Sequence, residues 1–434
     1  MTRVVVTTES RFTRTPDGTV WTADVADHRF WRRYSAVFPW VRVVARVTDV
    51  PAPGPADRPV TGDGVEVWPV PSYAGPAQYL RTRGRLRRAV VAAAGDTDAV
   101  ILRVPSPIGM TLALARGRRG LPVALEVVGD PHDALAPGAV RHPLRPLLRH
   151  WMKRQLRRQC ASAAAVSYVT ERSLQARYPA RPGVYTTACS SIDLPEEAYV
   201  PAARPAPSRS RLVSVGSLAQ PYKGIDTLIG AVARLVGAGH DITLTHLGEG
   251  RLRADLEELA VRLGVSDRVT FAGLVGSGSP VWRRLDEADL FVLPSRAEGL
   301  PRALIEAMAR GLPAIGARVG GVPELLPATD LVEPGDPGRL AEAVGAMLVD
   351  RDRMAAASAR NLARARDYAA TRLTPRRIAF YEQVRDLARQ RVAGLPAGRP
   401  APGARRTSTS GPAAAGTTPT TSPGATTHGR KAVR

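Results

Sequence analysis

Short apolar runs, each broken by a polar or glycine- and proline-bearing stretch, recur along most of this chain. Residues 4–6, 41–47, 65–70, 99–104, 123–128 and 163–169 are too short for helices, and most are rich in valine. They predict buried strands. Stretches with helical spacing lie between them, so the pattern predicts a mostly parallel sheet with helical crossovers. A second series follows, with strands at 212–215, 243–247, 290–293 and 313–316 and a strand with its loop over 268–274. Its helices are expected over 226–236, 302–310, 336–350, 351–368 and 371–391. The proline-rich stretch 201–210 (PAARPAPSRS) separates the two series. That predicts one α/β domain over 1–200, a linker over 201–210, a second domain over 211–370 and a crossing helix over 371–392. From 393 to 434 large apolar residues almost vanish, so this basic Pro/Ala/Thr-rich tail is expected to be disordered.

Ligands of such sheets bind in the loops at the carboxyl ends of the strands. In the second half, the run 290–293 leads into a loop carrying Glu298, Gly299 and Leu300. Pro301 suits the start of a helix, where its missing N–H costs nothing, and Gly311 stops that helix. A glycine-bearing loop feeding a helix N-terminus offers free N–H groups and partial positive charge to an anion. Glu298 and Glu306 cannot bind that anion; they suit hydroxyls, such as a ribose and a sugar ring flanking a diphosphate. The loop 216–224 (GSLAQPYKG) would add backbone amides and one cation, Lys223, the only lysine between Lys153 and Lys431. Gly248-Glu249-Gly250 forms a turn after the next strand. In the first half the corresponding loops are 7–11, 105–109 and 129–133.

EGLPRALIE at 298–306, followed by A-x-A-x-G-x-P and by GGVPE at 320–324, resembles the signature of the retaining glycosyltransferases of family 4. The resemblance covers 212–349 well and the first half more weakly. It implies the GT-B fold, two Rossmann-like domains facing each other across a cleft. It also implies a nucleotide-diphosphate sugar as co-substrate, with no cofactor and no metal. Gly216, Ser217, Lys223, Gly248, Glu249, Gly250, Gly299, Leu300, Pro301 and Glu306 would hold that donor, Glu306 through the ribose. Glu298 and Lys223 would act on the sugar and the diphosphate. Asp130 or His132 would reach across from the first domain. The sequence departs from the family at two places. Ser217 stands where the family often has arginine, with Arg251 a candidate substitute. TTESRFTRTPDG replaces the usual glycine-rich loop after the first strand.

Composition changes this picture little. The net charge of +22 invites a nucleic-acid reading. Only Lys153, Lys223 and Lys431 are lysines, however, which looks like a codon bias toward arginine, and no specific nucleic-acid partner is expected. The stretch 141–158 holds seven Arg/Lys, no acid, and Leu144, Leu147, Leu148, Trp151, Met152 and Leu156 at helical spacing. It is a candidate for an anionic membrane surface. Cys160 and Cys189 are too few for a disulfide framework, which fits a reducing cytoplasm. MTRVVVTTESRF reads as a first strand and not as a signal peptide, and no apolar run reaches the length of a membrane span. The expectation is therefore a cytoplasmic enzyme, or one peripheral on the inner face of the membrane. It would move a hexose to a glycan or lipid-linked acceptor in envelope polysaccharide or glycolipid assembly. The alternatives are an inactive, basic GT-B-like module for membrane or nucleic acid, and a nucleotide-sugar epimerase of related fold.

Overall fold

The computed structural model describes residues 2–73, 75–135, 144–204 and 210–392. The tail 393–434, the middle of the 201–210 linker and the first residues of the basic stretch lie outside the described residues. The valine runs form strands because both their faces are covered, which makes a near-continuous apolar run the stable choice. Seven parallel strands form the body of the first sheet: β1 (Val4–Arg14), β2 (Val41–Asp49), β3 (Val65–Pro71), β4 (Ala99–Val104), β5 (Ala124–Val127), β6 (Ala165–Tyr168) and β7 (Tyr185–Ala188). Two short antiparallel strands, Val20–Thr22 and Arg58–Pro59, join it beside the end of β1. The order of the parallel strands is β3-β2-β1-β4-β5-β6-β7, the doubly wound arrangement. The second sheet repeats it with β8 (Ser210–Val215), β9 (Ile242–Leu247), β10 (Val269–Phe271), β11 (Leu290–Leu293), β12 (Ala314–Ala317) and β13 (Leu331–Val332), ordered β10-β9-β8-β11-β12-β13.

One segment departs from the expectation. Residues 7–11 are not a loop, because β1 continues through them to Arg14. Thr7 pairs with Val44 and Arg11 with Arg46, so three residues of β1 oppose Ala45 alone. This bulge lets a mostly polar segment stay in the sheet, with Phe12 buried beyond it. It also turns Glu9 toward Ser106 Oγ (2.6 Å), the Ile108 amide (3.2 Å) and Tyr73 Oη (3.0 Å). The Glu9 carboxylate thus meets the N-terminus of α1 (Pro107–Gly117).

In α2 (Arg145–Ser162) the apolar stripe divides. Leu156 and Cys160 are buried, whereas Leu147 (68%) and Trp151 (45%) are exposed among arginines. The second sheet is covered by α3 (Ile225–Gly237), which buries Leu228, Ile229, Val232 and Leu235 against Leu212, Leu244 and Leu290. Short α4 (Arg302–Ala309) buries Leu304, Ile305, Ala307 and Met308. The long α5 (Ala370–Val392) returns to the first sheet. Its Phe380, Tyr381, Val384 and Ala388 pack with Val4, Val6, Ile101 and Ala124, and Tyr381 stacks on Tyr34 at 4.5 Å.

The lobes also meet through polar contacts. Glu324 accepts hydrogen bonds from the amides of Glu171 (2.6 Å), Arg172 (3.1 Å) and Ser173 (2.7 Å) in the first lobe. Among the described residues no helix is long and apolar enough to cross a membrane. Because α5 supplies core to the first sheet, Phe380→Ala should lower stability by about 3–5 kcal/mol in denaturant unfolding. A loss under about 1 kcal/mol would mean that the first sheet folds without this helix.

Candidate active site

The loops at the carboxyl ends of β8 and β11 converge on one ion pair. Lys223 Nζ lies 2.7 Å from Glu298 Oε1, and Ser295 Oγ donates to the same oxygen at 2.7 Å. The two side chains are only 17% and 9% exposed, so each charge depends on the other. Desolvation pulls the lysine pKa down, but Glu298 beside it more than offsets this and leaves it raised. Lys223 is therefore a fixed cation.

Several constraints hold the pair. Gly224 takes a left-handed φ of 69°, and a Cβ there would sit 2.1 Å from the Pro294 carbonyl, so only glycine lets the two loops touch. Arg296 grips Asp226 with two bonds of 2.8 Å and the Pro221 carbonyl at 2.9 Å. Behind the pair, buried His246 lies 2.9 Å from the Gly216 carbonyl through Nε2. Burial pushes this imidazole down to about 4, so it is neutral and donates to that carbonyl. The Gly248-Glu249-Gly250 turn packs on the loop 216–219 as well: Leu218 N donates to the Glu249 carbonyl at 2.9 Å. Glu249 itself points outward and pairs with Arg253 at 2.8 Å. Ser217 Oγ accepts only from the Ala219 amide, at 3.2 Å. Arg251 bonds the Ala219 carbonyl at 2.9 Å on the exposed side of the loop.

Pro301 caps α4, and Glu306 lies one turn inside it. Among the described residues the Glu306 carboxylate has no hydrogen-bond or ion-pair partner, and burial raises its pKa against the pull of Arg302. Arg302, at the first position of α4, is equally without a bonded partner. A half-buried cation at a helix N-terminus opposes the macrodipole, so this placement is unfavourable in the protein alone. Burial lowers its pKa; Glu306 and Asp24 oppose that, while Arg103 and Arg33 of the first lobe add to it. Its charge is also felt at Lys223. Arg302 is thus coupled electrostatically both to the ion pair and to arginines of the first lobe.

From the first lobe, the loop after β5 meets Gly299, where a Cβ would be 2.3 Å from the Val128 carbonyl. That contact brings Asp130 and His132 to the cleft. Asp130 is 2% exposed and already accepts from Arg177, Tyr178 and the His132 amide. It shapes the loop and has no free edge for a substrate. His132 is more open, and its Nδ1 is 3.1 Å from both Arg149 Nη2 and Asp133 Oδ1. It can accept from the first or donate to the second, not both. Gly321 N donates to the Gly299 carbonyl at 2.7 Å, which ties the GGVPE turn to the same loop.

Two family models match this chain. One, described as "Glycosyl transferases group 1", covers residues 209–350; the other, "Glycosyl transferase 4-like domain", covers 40–186. The chain belongs to the group 1 glycosyltransferases. It is 25% identical to protein CapJ of Staphylococcus aureus over 325 residues, 75% of this chain and 81% of that protein. Over 150 residues it is 37% identical to the GDP-mannose-dependent alpha-(1-6)-phosphatidylinositol monomannoside mannosyltransferase of Mycobacterium tuberculosis, 32% of this chain and 38% of that protein. The MMP alpha-(1->4)-mannosyltransferase of Mycolicibacterium hassiacum matches at 29% over 224 residues, 48% of this chain and 52% of that protein. In fold, the chain is similar to sucrose-phosphate synthase from Thermosynechococcus elongatus, with a TM-score of 0.65 and 18% identity over 91% of this chain and all of that one. The Anabaena Alr3699/HepE structure in complex with UDP-glucose matches at a TM-score of 0.59 and 18% identity, with the same coverage. The fold is GT-B.

In this glycosyltransferase the sequence pattern drew attention to Lys223, Glu298 and Glu306 but passed over Arg302 and His246. Arg302 lies inside the quoted EGLPRALIE motif, and its position at a helix N-terminus was the available signal. His246 lies on a buried strand facing a glycine loop, and only the fold shows what it supports. Its lowered pKa has a direct consequence. The unfolded chain binds a proton near 6.5, which folded His246 refuses until about 4. Its contribution is therefore lost as pH falls through that window. The stability difference between wild type and His246→Gln should shrink by up to about 3 kcal/mol between pH 7 and pH 4. Parallel denaturation curves across that range would refute the burial of a neutral imidazole.

Proposed function

We propose that this glycosyltransferase takes its sugar from a nucleotide-diphosphate sugar held by the second lobe. The sugar passes to a hydroxyl of an acceptor held by the first lobe, with retention of anomeric configuration. The observation that carries this reading is the Lys223–Glu298 pair beside the α4 N-terminus, with Glu306 unpaired one turn away. When the donor enters, Lys223 exchanges Glu298 for the diphosphate, and Glu298 is released to a hydroxyl of the donor sugar. Glu306 accepts from the ribose. The anomeric C–O bond breaks with its electron pair going to the diphosphate, where charge develops. Fixed cations and the free amides of α4 await that charge without reorganising.

Ser217 cannot supply a charge there, and Arg251 is turned to the outside. Arg302 fills the gap: a diphosphate would satisfy the α4 amides, Arg302 and Lys223 together and relieve the unfavourable placement of the arginine. His132 lines the sugar end of the cleft, and Asp130 positions it. The names of relatives support a nucleotide-sugar donor, since Alr3699/HepE was solved with UDP-glucose and the mycobacterial relative is named as GDP-mannose-dependent. The name of the mycobacterial relative, which gives its acceptor as a phosphatidylinositol monomannoside, supports a lipid-linked glycan acceptor.

A thermal-shift panel of UDP-, GDP- and ADP-sugars tests the donor site. One nucleotide class should raise the melting temperature, and Glu306→Ala should abolish the effect. Arg302→Met should weaken that donor about tenfold or more, and Ser217→Arg added to it should restore much of the loss. A donor shift that Arg302→Met leaves untouched removes the arginine from the site. Turnover should be unchanged by a chelator.

The exposed Leu147 and Trp151 on basic α2 support association with an anionic membrane surface on the cytoplasmic side. The protein should sediment with vesicles containing about a third phosphatidylglycerol, and Leu147→Glu with Trp151→Glu should release it. Equal sedimentation of the double variant would leave the helix without this role.

A further inference from the structure

A pocket with charged side chains in its lining opens on the first lobe, at the carboxyl ends of β4, β5 and β6 where α5 covers the sheet. Its cavity volume is only about 20 Å3, the rest of it opening to solvent, and its charged lining is Arg33, Arg103, Arg377 and Glu126. Arg103, Glu126 and Ser167 are register partners on adjacent strands, which puts them on one face. Arg377 comes from α5, and Arg33 from a short turn before β2.

The pocket is rich in donors and poor in acceptors. Each guanidinium carries five N–H groups and no acceptor. Arg33 bonds one carbonyl, Ser191 O at 3.2 Å, and its Nε is buried with no acceptor. Arg377, 6% exposed, reaches the carbonyls of Ser190 (3.4 Å) and Ile192 (3.1 Å) with a single nitrogen. Arg103 bonds Glu126 and lies 3.5 Å from the Tyr34 hydroxyl. Glu126, the one carboxylate of the lining, already accepts from Tyr34 at 2.9 Å as well. Three cations therefore face the pocket against one anion, with the Phe30 ring beneath Arg33 (3.7 Å) and Arg103 (5.0 Å) as their other support. Such an excess is costly unless an anion enters.

The pocket also adjoins the donor loop. Val128 lines it, and the carbonyl of Val128 is the group that packs on Gly299. Arg302, whose charge is felt at Lys223, also feels the charge of both Arg33 and Arg103. We infer that this pocket binds a compact oxyanion of the acceptor, a phosphate or carboxylate near the hydroxyl that receives the sugar. The inference rests on the donor assignment above for which end of the cleft is which. Net charge in the pocket is +2, which suits a phosphate monoester; a carboxylate presents the same fork geometry to arginine. Anchoring the anion there would orient the acceptor hydroxyl toward the donor sugar at Glu298.

The test uses the full chain saturated with whichever of UDP, GDP or ADP raises its melting temperature, so that the diphosphate site is filled. Methyl phosphate, glucuronate and glucose are then added separately. Methyl phosphate or glucuronate should raise the melting temperature further, and glucose should not. Whichever anion acts names the source of the charge. Arg33→Gln removes a donor, and Ser191→Asp supplies the pocket with its own carboxylate. Each should weaken the added anion about tenfold or more while keeping the nucleotide shift. No response of the nucleotide-loaded protein to either anion overturns the inference, as does an undiminished response in both variants. Loss of the nucleotide shift alone, with the anion response intact, would sink the donor assignment and leave the pocket standing.

Discussion

A charge removed from water needs a partner, and the second lobe is arranged around one case of that rule. Lys223 and Glu298 come from loops 75 residues apart, and neither could be so buried without the other. The left-handed Gly224, the Arg296–Asp226 fork and the close approach of Gly320 to the Glu298 carbonyl all serve to keep these loops in register. A buried ion pair contributes little net stability beside an apolar pair of the same volume. The proposed donor site gives its persistence a reason, since separation would free one member for a phosphate and the other for hydroxyls.

The strands were legible because doubly covered parallel sheets use valine-rich runs, and boundaries such as 99–104 and 290–293 match the structure residue for residue. The far half of β1 was not legible, since a bulge carries polar Thr8, Glu9 and Ser10 through the sheet with no periodic mark. The two-residue strands escaped for a simpler reason: nothing so short has a period. Within the site, residues of one loop and helix could be read together from their spacing. Groups assembled from distant segments could not. Arg33, Arg103 and Arg377 are separated by 70 and more residues, and in a chain with 61 basic residues none stands out. Arg302 was hidden by its own motif, which drew attention to its glutamates.

The first lobe shows how a missing feature is compensated by geometry. A glycine-rich loop after the first strand would leave amides facing the cleft. Here Glu9 occupies the α1 N-terminus, held by Ser106 and Tyr73, and the positive charge comes instead from arginines. Side chains on fixed strands and helices replace backbone as the source of positive potential. That exchange gives fork-shaped recognition, whereas backbone amides cradle an anion without discriminating its shape.

The Glu324 contact carries a further consequence. Its carboxylate holds three amides of the first lobe, and three residues earlier Gly321 holds the carbonyl of Gly299. One short turn therefore grips the opposite lobe with one end and the donor loop with the other. Opening of the cleft and displacement of that loop become a single event, so their free energies are linked. A ligand that steadies the loop must favour the closed arrangement, and closure must tighten that ligand by the same factor. In this enzyme cooperation between the two substrates needs no dedicated switch, because the GGVPE turn makes each lobe a reporter of the other.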